Sequence, residues 1–273
     1  MRISIITVVR NSEATIRDTI ECVLSQSYAD IEYIIVDGKS TDSTLDIVRS
    51  YGNRIDKVIS ESDTGIYNAM NKGLRLATGD YIAFLNGDDI YAHNHVIAEL
   101  AKMAKSTQTD CLYGDLLFVD QEDTNKAVRY WQAGNFNRYK MLFGWSVPHP
   151  TLFIKREIFQ KYGLFKENFG LSGDYEMMVR FFFKEQINAT YLPEVMVRMR
   201  IGGAGNSGFK SKWKGNREDY QAWKQNGLKI PFMTIVLKPL RKIPQFFRRP
   251  KPIAQPQSTT ALPMNEKGIQ MSY

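Results

Sequence analysis

The chain has 273 residues, 43% of them hydrophobic and 24% charged, and carries a formal net charge of +7. That is the make-up of an ordinary globular protein, long enough for one large α/β domain or a domain with an appendage. No run of roughly eighteen apolar residues occurs, which excludes a bilayer-spanning helix. The apolar stretch at 3–9 is too short for a secretion leader and runs straight into Arg10 and Asn11, so a cytoplasmic location is expected. The positive charge is local: residues 208–252 hold twelve Lys or Arg against Glu218 and Asp219, leaving the remainder at −3. Cys22 and Cys111, the only cysteines, have no metal-ligand spacing and read as reduced, structural thiols.

Residues 2–9 (RISIITVV) are almost continuously apolar and β-branched, the pattern of a central parallel strand covered on both faces. Residues 13–27 place Ile16, Ile20, Val23 and Leu24 at helical spacing, and 31–36 (IEYIIV) read as a second buried strand ending at Asp37. A turn comes next, then a helix reaching Tyr51 with Thr41 or Asp42 as its N-cap. Residues 55–60 read as a third strand, 65–77 as a third helix, and 81–85 as a fourth strand that ends in Asn86-Gly87-Asp88-Asp89.

This alternation predicts a doubly wound α/β sheet, whose ligands collect at the carboxyl ends of the strands. Polar clusters around Asn11, Asp37 and Asp88 fall at those ends. His93 and His95 read as the start of a helix to about residue 105, since no third metal ligand is evident beside them. Residues 112–130 read as antiparallel strands around a polar turn, making the sheet mixed. Helices are predicted at 155–162 and 173–184, and a last strand at 195–199 before IGGAGNSG, where Gly202, Gly203 and Gly205 suggest a closing loop. Beyond Gly208, aromatic residues interleave with Lys and Arg, and Pro231, Pro239, Pro244 and Pro250 break the segment into short helices. Residues 250–273 have the composition of a disordered tail.

Two adjacent acids at the end of a buried strand repel each other, and each costs free energy to desolvate. A divalent cation such as Mg²⁺ or Mn²⁺ resolves this at Asp88; a helix cap is the plainer reading. At Asp37-Gly38 a carboxylate stands ready for a nucleobase N–H or ribose hydroxyl, with a glycine that lets the backbone come close. Ordinary turn chemistry is its alternative.

The ordered motifs ITVVRN, VDGKSTDST, SDTGIYNAMNKGLRLATGDYIAFLNGDD, VPHPTLFIK and SGDYEMMVRF resemble those of family 2 glycosyltransferases of the GT-A fold, over roughly residues 1–205. The likeness is nearest to the branch that builds bacterial exopolysaccharide, O-antigen and colanic-acid-type repeats. It implies a Rossmann-like, doubly wound mixed sheet over 1–207, followed by a basic helical extension (208–249) and the tail. It also implies an inverting transfer from a nucleotide sugar, by family frequency a UDP-sugar, to a hydroxyl of a glycan or polyprenyl-linked acceptor in cell-surface polysaccharide synthesis.

Carried over residue by residue, the resemblance puts Thr7 and Asn11 beside the nucleotide and Asp37 and Asp63 on its base and ribose. Asn71 matches the asparagine of the family's A-R-N-x-G stretch. Asp88 is the metal ligand, the last carboxylate of D-x-D, for Mg²⁺ or Mn²⁺. Asp174 is the general base, in a position that also caps a helix, and His149 lines the acceptor pocket or packs in its loop. Three departures stand out. Asn86 replaces the first acid of D-x-D and offers only a neutral oxygen. Arg10 stands where an aromatic ring often stacks on the base. Met70 replaces the arginine of A-R-N-x-G, leaving Lys72 or Arg200 to meet the diphosphate.

The basic extension is expected on the anionic cytoplasmic face of the inner membrane, with rings in the interface and Lys and Arg at headgroups, and not on nucleic acid. A helical pair packed on the core is the alternative. Two rival functions remain open: a nucleotidyltransferase, which releases pyrophosphate, and a non-catalytic membrane-surface protein on the same scaffold. The particular sugar, the acceptor, the linkage and the oligomeric state are not legible.

Overall fold

β1 (Ile3–Val9) is buried at every position, because its side chains alternate between two covered faces. It runs parallel to β2 (Ile31–Asp37) on one side and β4 (Tyr81–Phe84) on the other, with β3 (Lys57–Ser60) parallel beyond β2. Ile3, Ile5 and Val9 pack with Ile16, Ile20 and Val23 of α1 (Ile16–Leu24). Ile6 and Val8 pack on the other side with Tyr67, Met70 and Leu74 of α3 (Ile66–Leu76). Val9 stands opposite Asp37, and Asp37 opposite Ser60, so the carboxyl ends of these strands finish side by side.

The computed structural model describes residues 1–170, 172–202, 208–229 and 232–248. Beyond β4 the sheet turns mixed. β8 (Phe153–Lys155) joins β4 antiparallel, and β6 (Cys111–Val119) joins β8 antiparallel. β9 (Ala189–Arg200) runs parallel to β6, and β5 (Ile90–Tyr91) antiparallel to β9. The order is β3-β2-β1-β4-β8-β6-β9-β5, with β7 (Ala127–Trp131) antiparallel on β6. The remaining described helices before residue 208 are α2 (Thr44–Arg49), α4 (Val96–Thr107), α5 (Arg156–Tyr162) and α6 (Gly173–Met178), besides short 3₁₀ turns and a π-helical stretch at Val179–Lys184.

The differences from expectation have local causes. α1 begins later than its periodicity predicts, because Ser12 and Glu13 donate their N–H groups to Thr44 Oγ1 (2.7 Å) and Asp42 Oδ2 (3.2 Å). Asp42 also accepts the N–H of Thr44, the first residue of α2, on Oδ1 (3.0 Å) and so caps that helix as expected, whereas the Thr41 N–H goes to Asn11 and Ser43 makes no side-chain cap bond. β5 and β8, at two and three residues, are too short to show a period. Both cysteines are free thiols; burial pushes Cys22 up to about 12 and Cys111 upward as well, which leaves them unreactive.

His93 does not stand alone. It gathers with Glu99 and Glu194, its Nε2 lying 2.9 Å from Glu194 Oε1. His93 Nδ1 accepts the N–H of His95 (3.3 Å).

Glu32 is 1% exposed and joins three strands. It accepts from Ser4 Oγ (2.5 Å), Lys57 Nζ (2.8 Å), and the N–H and hydroxyl of Thr78 (2.7 and 2.8 Å). Burial pushes its carboxyl up, but Lys57, Ser4 and Thr78 outweigh that and hold it down at about 2. A lowered folded-state pKa stabilises above the ordinary glutamate value and is lost as pH falls through the folded one. Glu32→Gln is expected to cost roughly 3 kcal/mol near neutrality in urea unfolding. The gap to the parent protein should close between about pH 4.5 and about pH 2; a gap constant over that window would mean Glu32 is not ionised in the fold.

The segment after residue 208 shares the main core. α7 (Gly208–Gln225) buries Ala222 and Trp223 completely, in the apolar cluster that contains Phe181 and Phe182. Trp223 stacks edge-on with Phe183 at 4.9 Å, and its Nε1 donates to Tyr175 Oη (3.1 Å). Glu218 accepts from the N–H groups of Gly170 and Ser172, and Lys238 of α8 (Phe232–Leu240) pairs with Asp219 at 2.5 Å. The extension is thus a brace on α6. No helix among the described residues is long and apolar enough to cross a membrane. Residues 203–207, and with them most of the glycine-rich loop, lie outside the described residues, as does the tail from 249 on.

Candidate active site

Three loops meet where the parallel strands end. After β1, Asn11 adopts a positive φ of 52°, accepts the N–H of Thr41 on Oδ1 (2.9 Å) and donates its own N–H to Ser40 Oγ (2.8 Å). The β1 and β2 loops are stitched together by this pair. A β-carbon on Gly38 would lie 2.4 Å from Asp63 Oδ2 and 3.5 Å from the Cβ and Cδ of Arg10. Asp63, half-buried and held by Gly65 N–H (2.9 Å), therefore lies over Gly38 with the exposed Arg10 beside it. Asp37 sits beneath, fully buried, accepting from Ser40 Oγ (2.5 Å) and Ser60 Oγ (2.6 Å).

The loop after β4 is pinned against β1 and α1. A β-carbon on Gly87 would strike Val9 Cγ1 at 2.7 Å, while Thr15 and Thr19 donate to the carbonyls of Gly87 (2.8 Å) and Asp89 (2.9 Å). Only glycine lets the chain approach so closely. Asp89 is fully buried, and one oxygen accepts from Asn86 Nδ2 (3.2 Å). Its other oxygen, and Asn86 Oδ1, are buried with no hydrogen-bond partner. Burial raises the Asp88 carboxyl, offset in part by its own backbone and by Arg200; burial and then the charge of Asp88 raise Asp89 well above the usual range. Two orphaned oxygens beside two desolvated carboxyls form a hard-oxygen set that fits Mg²⁺ or Mn²⁺, since a cation reverses both penalties.

Across the fold, Asp174 opens α6. Its Oδ2 lies 2.9 Å from His149 Nδ1 and its Oδ1 accepts from Tyr67 Oη (3.1 Å). Tyr67 belongs to the first turn of α3, directly after the Asp63 loop, so one short segment touches both regions. Burial pushes the Asp174 carboxyl up, but His149, the Tyr175 N–H and Lys238 outweigh it and hold it below the usual carboxylate range. Lys238 lies 3.7 Å over the Tyr175 ring. A cavity of about 400 Å³ opens beside Tyr67, lined by Thr64, Gly65, Asn68, Glu167, Phe169 and Glu218 among others.

The structure corrects several expected donor contacts. Thr7 has no exposed surface, and its hydroxyl pairs with Tyr33 Oη (3.2 Å) under α1, so it is a core residue. Asn71, 2% exposed, spends its amide on Phe165 O (2.9 Å), Phe165 N–H (3.0 Å) and Glu167 (2.9 Å), holding the 165–167 loop. Lys72 is tied to Glu61 (3.0 Å) and Ser62 O (2.6 Å) at the edge of α3. Arg200 does come to Asp88, but through its backbone: it donates to Asp88 O (2.8 Å) and Asp18 (2.5 Å) and is 5% exposed. Asn11, Asp63, Asn86 and Asp88 stand in the loops after the parallel strands, His149 in the turn before β8, and Asp174 at the start of α6. Tyr67 escaped the sequence reading, because its partner lies 107 residues away.

A parallel half-sheet with acids at its strand ends, continued by a mixed half and followed by a further acid at the start of α6, is a GT-A arrangement. The solved structures agree. Staphylococcus aureus TarS (residues 1–349) with UDP-GlcNAc superposes with a TM-score of 0.63 at 16% identity, covering 83% of this chain and 65% of that one. A mannosyltransferase of Pyrobaculum calidifontis, solved with GDP-Man and Mn²⁺, gives 0.62 at 18% identity over 86% and 68%. The chain thus spans less than two thirds of the TarS chain. A PGL/p-HBAD biosynthesis glycosyltransferase of Mycobacterium bovis is 27% identical over 209 residues, 75% of this chain and 79% of its own. An uncharacterized glycosyltransferase of Rickettsia prowazekii is 30% identical over 211 residues, 74% of this chain and 64% of its own. The model for glycosyl transferase family 2 matches residues 4–184, and the chain belongs to that family.

Proposed function

We propose that this family 2 glycosyltransferase inverts the anomeric centre as it moves a sugar from a UDP-sugar to a hydroxyl of a glycan or polyprenyl-linked acceptor, in cell-surface polysaccharide assembly. The observation that carries the reading is the pair of orphaned oxygens beside Asp88, set against a second, ionised acid at Asp174. Asp88, with Asn86 Oδ1 alongside, would hold Mg²⁺ or Mn²⁺, which neutralises charge developing on the departing diphosphate. Asp63 accepts from the nucleoside across Gly38, and Arg10 lays its guanidinium plane on the base. Asn11 and Asp37 keep that floor in shape. The acceptor hydroxyl loses its proton to the Asp174–His149 pair as its oxygen bonds to the anomeric carbon, opposite the leaving group. A single displacement of this kind inverts.

The nucleotide sugars held by the solved relatives, UDP-GlcNAc and GDP-Man, support the donor class. A lipid-linked acceptor is supported by the far end of the brace, where Ile243, Phe246 and Phe247 are 53, 60 and 82% exposed beside the exposed Arg241, Lys242 and Arg248. Such a face suits the interface of an anionic membrane and supports a peripheral position on its cytoplasmic side.

Thermal unfolding with a panel of UDP-, GDP- and dTDP-sugars tests the reading. One or two donors at about a hundredfold excess over Kd should raise Tm by roughly 5–10 °C, and only with Mn²⁺ present. A response to nucleoside triphosphates alone, with pyrophosphate released on turnover, would favour nucleotidyl transfer instead.

A further inference from the structure

Asp174 is poorly placed to take a proton by itself. Both of its oxygens are engaged, Oδ1 by Tyr67 Oη (3.1 Å) and Oδ2 by His149 Nδ1 (2.9 Å). His149 first, then the Tyr175 N–H and Lys238 of α8, offset its burial and keep it ionised. His149 is the more open partner, 34% exposed against 19% for Asp174.

The tautomer is set by the contact. An ionised carboxylate only accepts, so the Nδ1 facing it carries the ring proton. In the neutral ring the lone pair then belongs to Nε2. Among the described residues nothing is hydrogen-bonded to Nε2. The ring is also held in place: the 3₁₀ turn His149–Thr151 is anchored by the fully buried Thr151, whose hydroxyl bonds Gly114 O (3.0 Å) and Pro148 O (2.8 Å). A positioned imidazole with a free nitrogen, backed by a carboxylate, is the arrangement of a general base.

Resting on the glycosyl-transfer reading, we propose that the acceptor proton is taken by His149 Nε2, and that Asp174 is a positioning residue that fixes the tautomer and shares the resulting charge. The step balances. The acceptor O–H proton passes to the Nε2 lone pair, and the O–H electron pair becomes the bond to the anomeric carbon. The electrons of the breaking C–O bond leave with the β-phosphate oxygen. The imidazolium keeps its Nδ1–H on Asp174 and returns the Nε2 proton to solvent before the next cycle. Tyr67 from α3 and Lys238 from α8 hold the carboxylate throughout.

His149→Gln separates the two assignments in the full-length protein, because glutamine retains an N–H for Asp174 but accepts no proton. Release of nucleoside diphosphate would be followed with UDP-GlcNAc, GDP-mannose and the other panel donors, each with Mn²⁺. His149→Gln should lower kcat about 10²- to 10⁴-fold, with donor KM within about threefold and the Mn²⁺–UDP or Mn²⁺–GDP rise in Tm intact. Retention of kcat within about tenfold by His149→Gln, with Asp174→Asn inactive, would return the base role to Asp174 and overturn the proposal. Absence of turnover by the unmodified protein with every donor would count against the parent reading instead.

Discussion

Asp88→Ala is expected to abolish the Mn²⁺-dependent rise in Tm given by a nucleoside diphosphate and to lower turnover by about a thousandfold, equivalent to roughly 4 kcal/mol of transition-state stabilisation. The reason lies in the loop after β4. Asn86 is neutral, Asp89 is fully buried and half satisfied by Asn86, and Asp88 is the acid that keeps contact with solvent. Without a cation, burial disfavours both charges, and the charge of Asp88 further disfavours that of Asp89. Removing Asp88 takes away a desolvated carboxyl and its repulsion of Asp89. The metal-free variant should therefore melt at the parent temperature or slightly above it. Loss of function with stability unchanged or raised is the signature, and calorimetry with and without Mn²⁺ reads both halves. A variant that melts several degrees lower while still responding to Mn²⁺ would show Asp88 to be a structural cap.

Asp174→Ala carries the second large effect. It should reduce kcat about 10³- to 10⁴-fold while leaving donor-induced stabilisation in place, because the donor contacts proposed for Asp63, Arg10 and Asp88 lie at the strand ends. Unlike Asp88, Asp174 is satisfied: its removal leaves the Tyr67 hydroxyl and His149 Nδ1 without their acceptor, at a cost of about 1–3 kcal/mol. The lowered carboxyl fixes the sign of the pH dependence. The stabilisation is present above the ordinary aspartate value near 3.8 and is lost as pH falls through the folded value, so parent and variant should converge in acid. Single-turnover assays and urea titrations at a few pH values separate the two contributions.

The strand-end acids were readable because a parallel strand declares itself by unbroken apolar, β-branched residues, and the loop at its carboxyl end lies on the ligand side of the sheet. RISIITVV and IEYIIV located Asn11 and Asp37 in that way, and YIAFL located Asp88. The pairing of His149 with Asp174 was not readable, since each residue looks like a loop histidine or a helix cap until β8 and α6 are folded together. Thr7 and Asn71 show the converse failure. The face on which a strand residue lies depends on the helix covering it, and α1 covers Thr7, while Asn71 of α3 turns its amide to the 165–167 loop. The segment after residue 208 looked separate by charge, yet Trp223 is an indole among basic residues that finds a fully apolar site against Phe183. Net charge reports a surface, not the side a helix buries.

The most direct test is a crystal structure with Mn²⁺ and the nucleoside diphosphate of the best-binding donor, with the metal located by anomalous scattering. One manganese peak is expected within coordination distance of the Asp88 carboxylate and of diphosphate oxygens, with His149 facing the same cleft. A peak bound elsewhere, or a diphosphate seated with Asp88 turned away from it, would rule out metal-assisted departure of the diphosphate at this strand end.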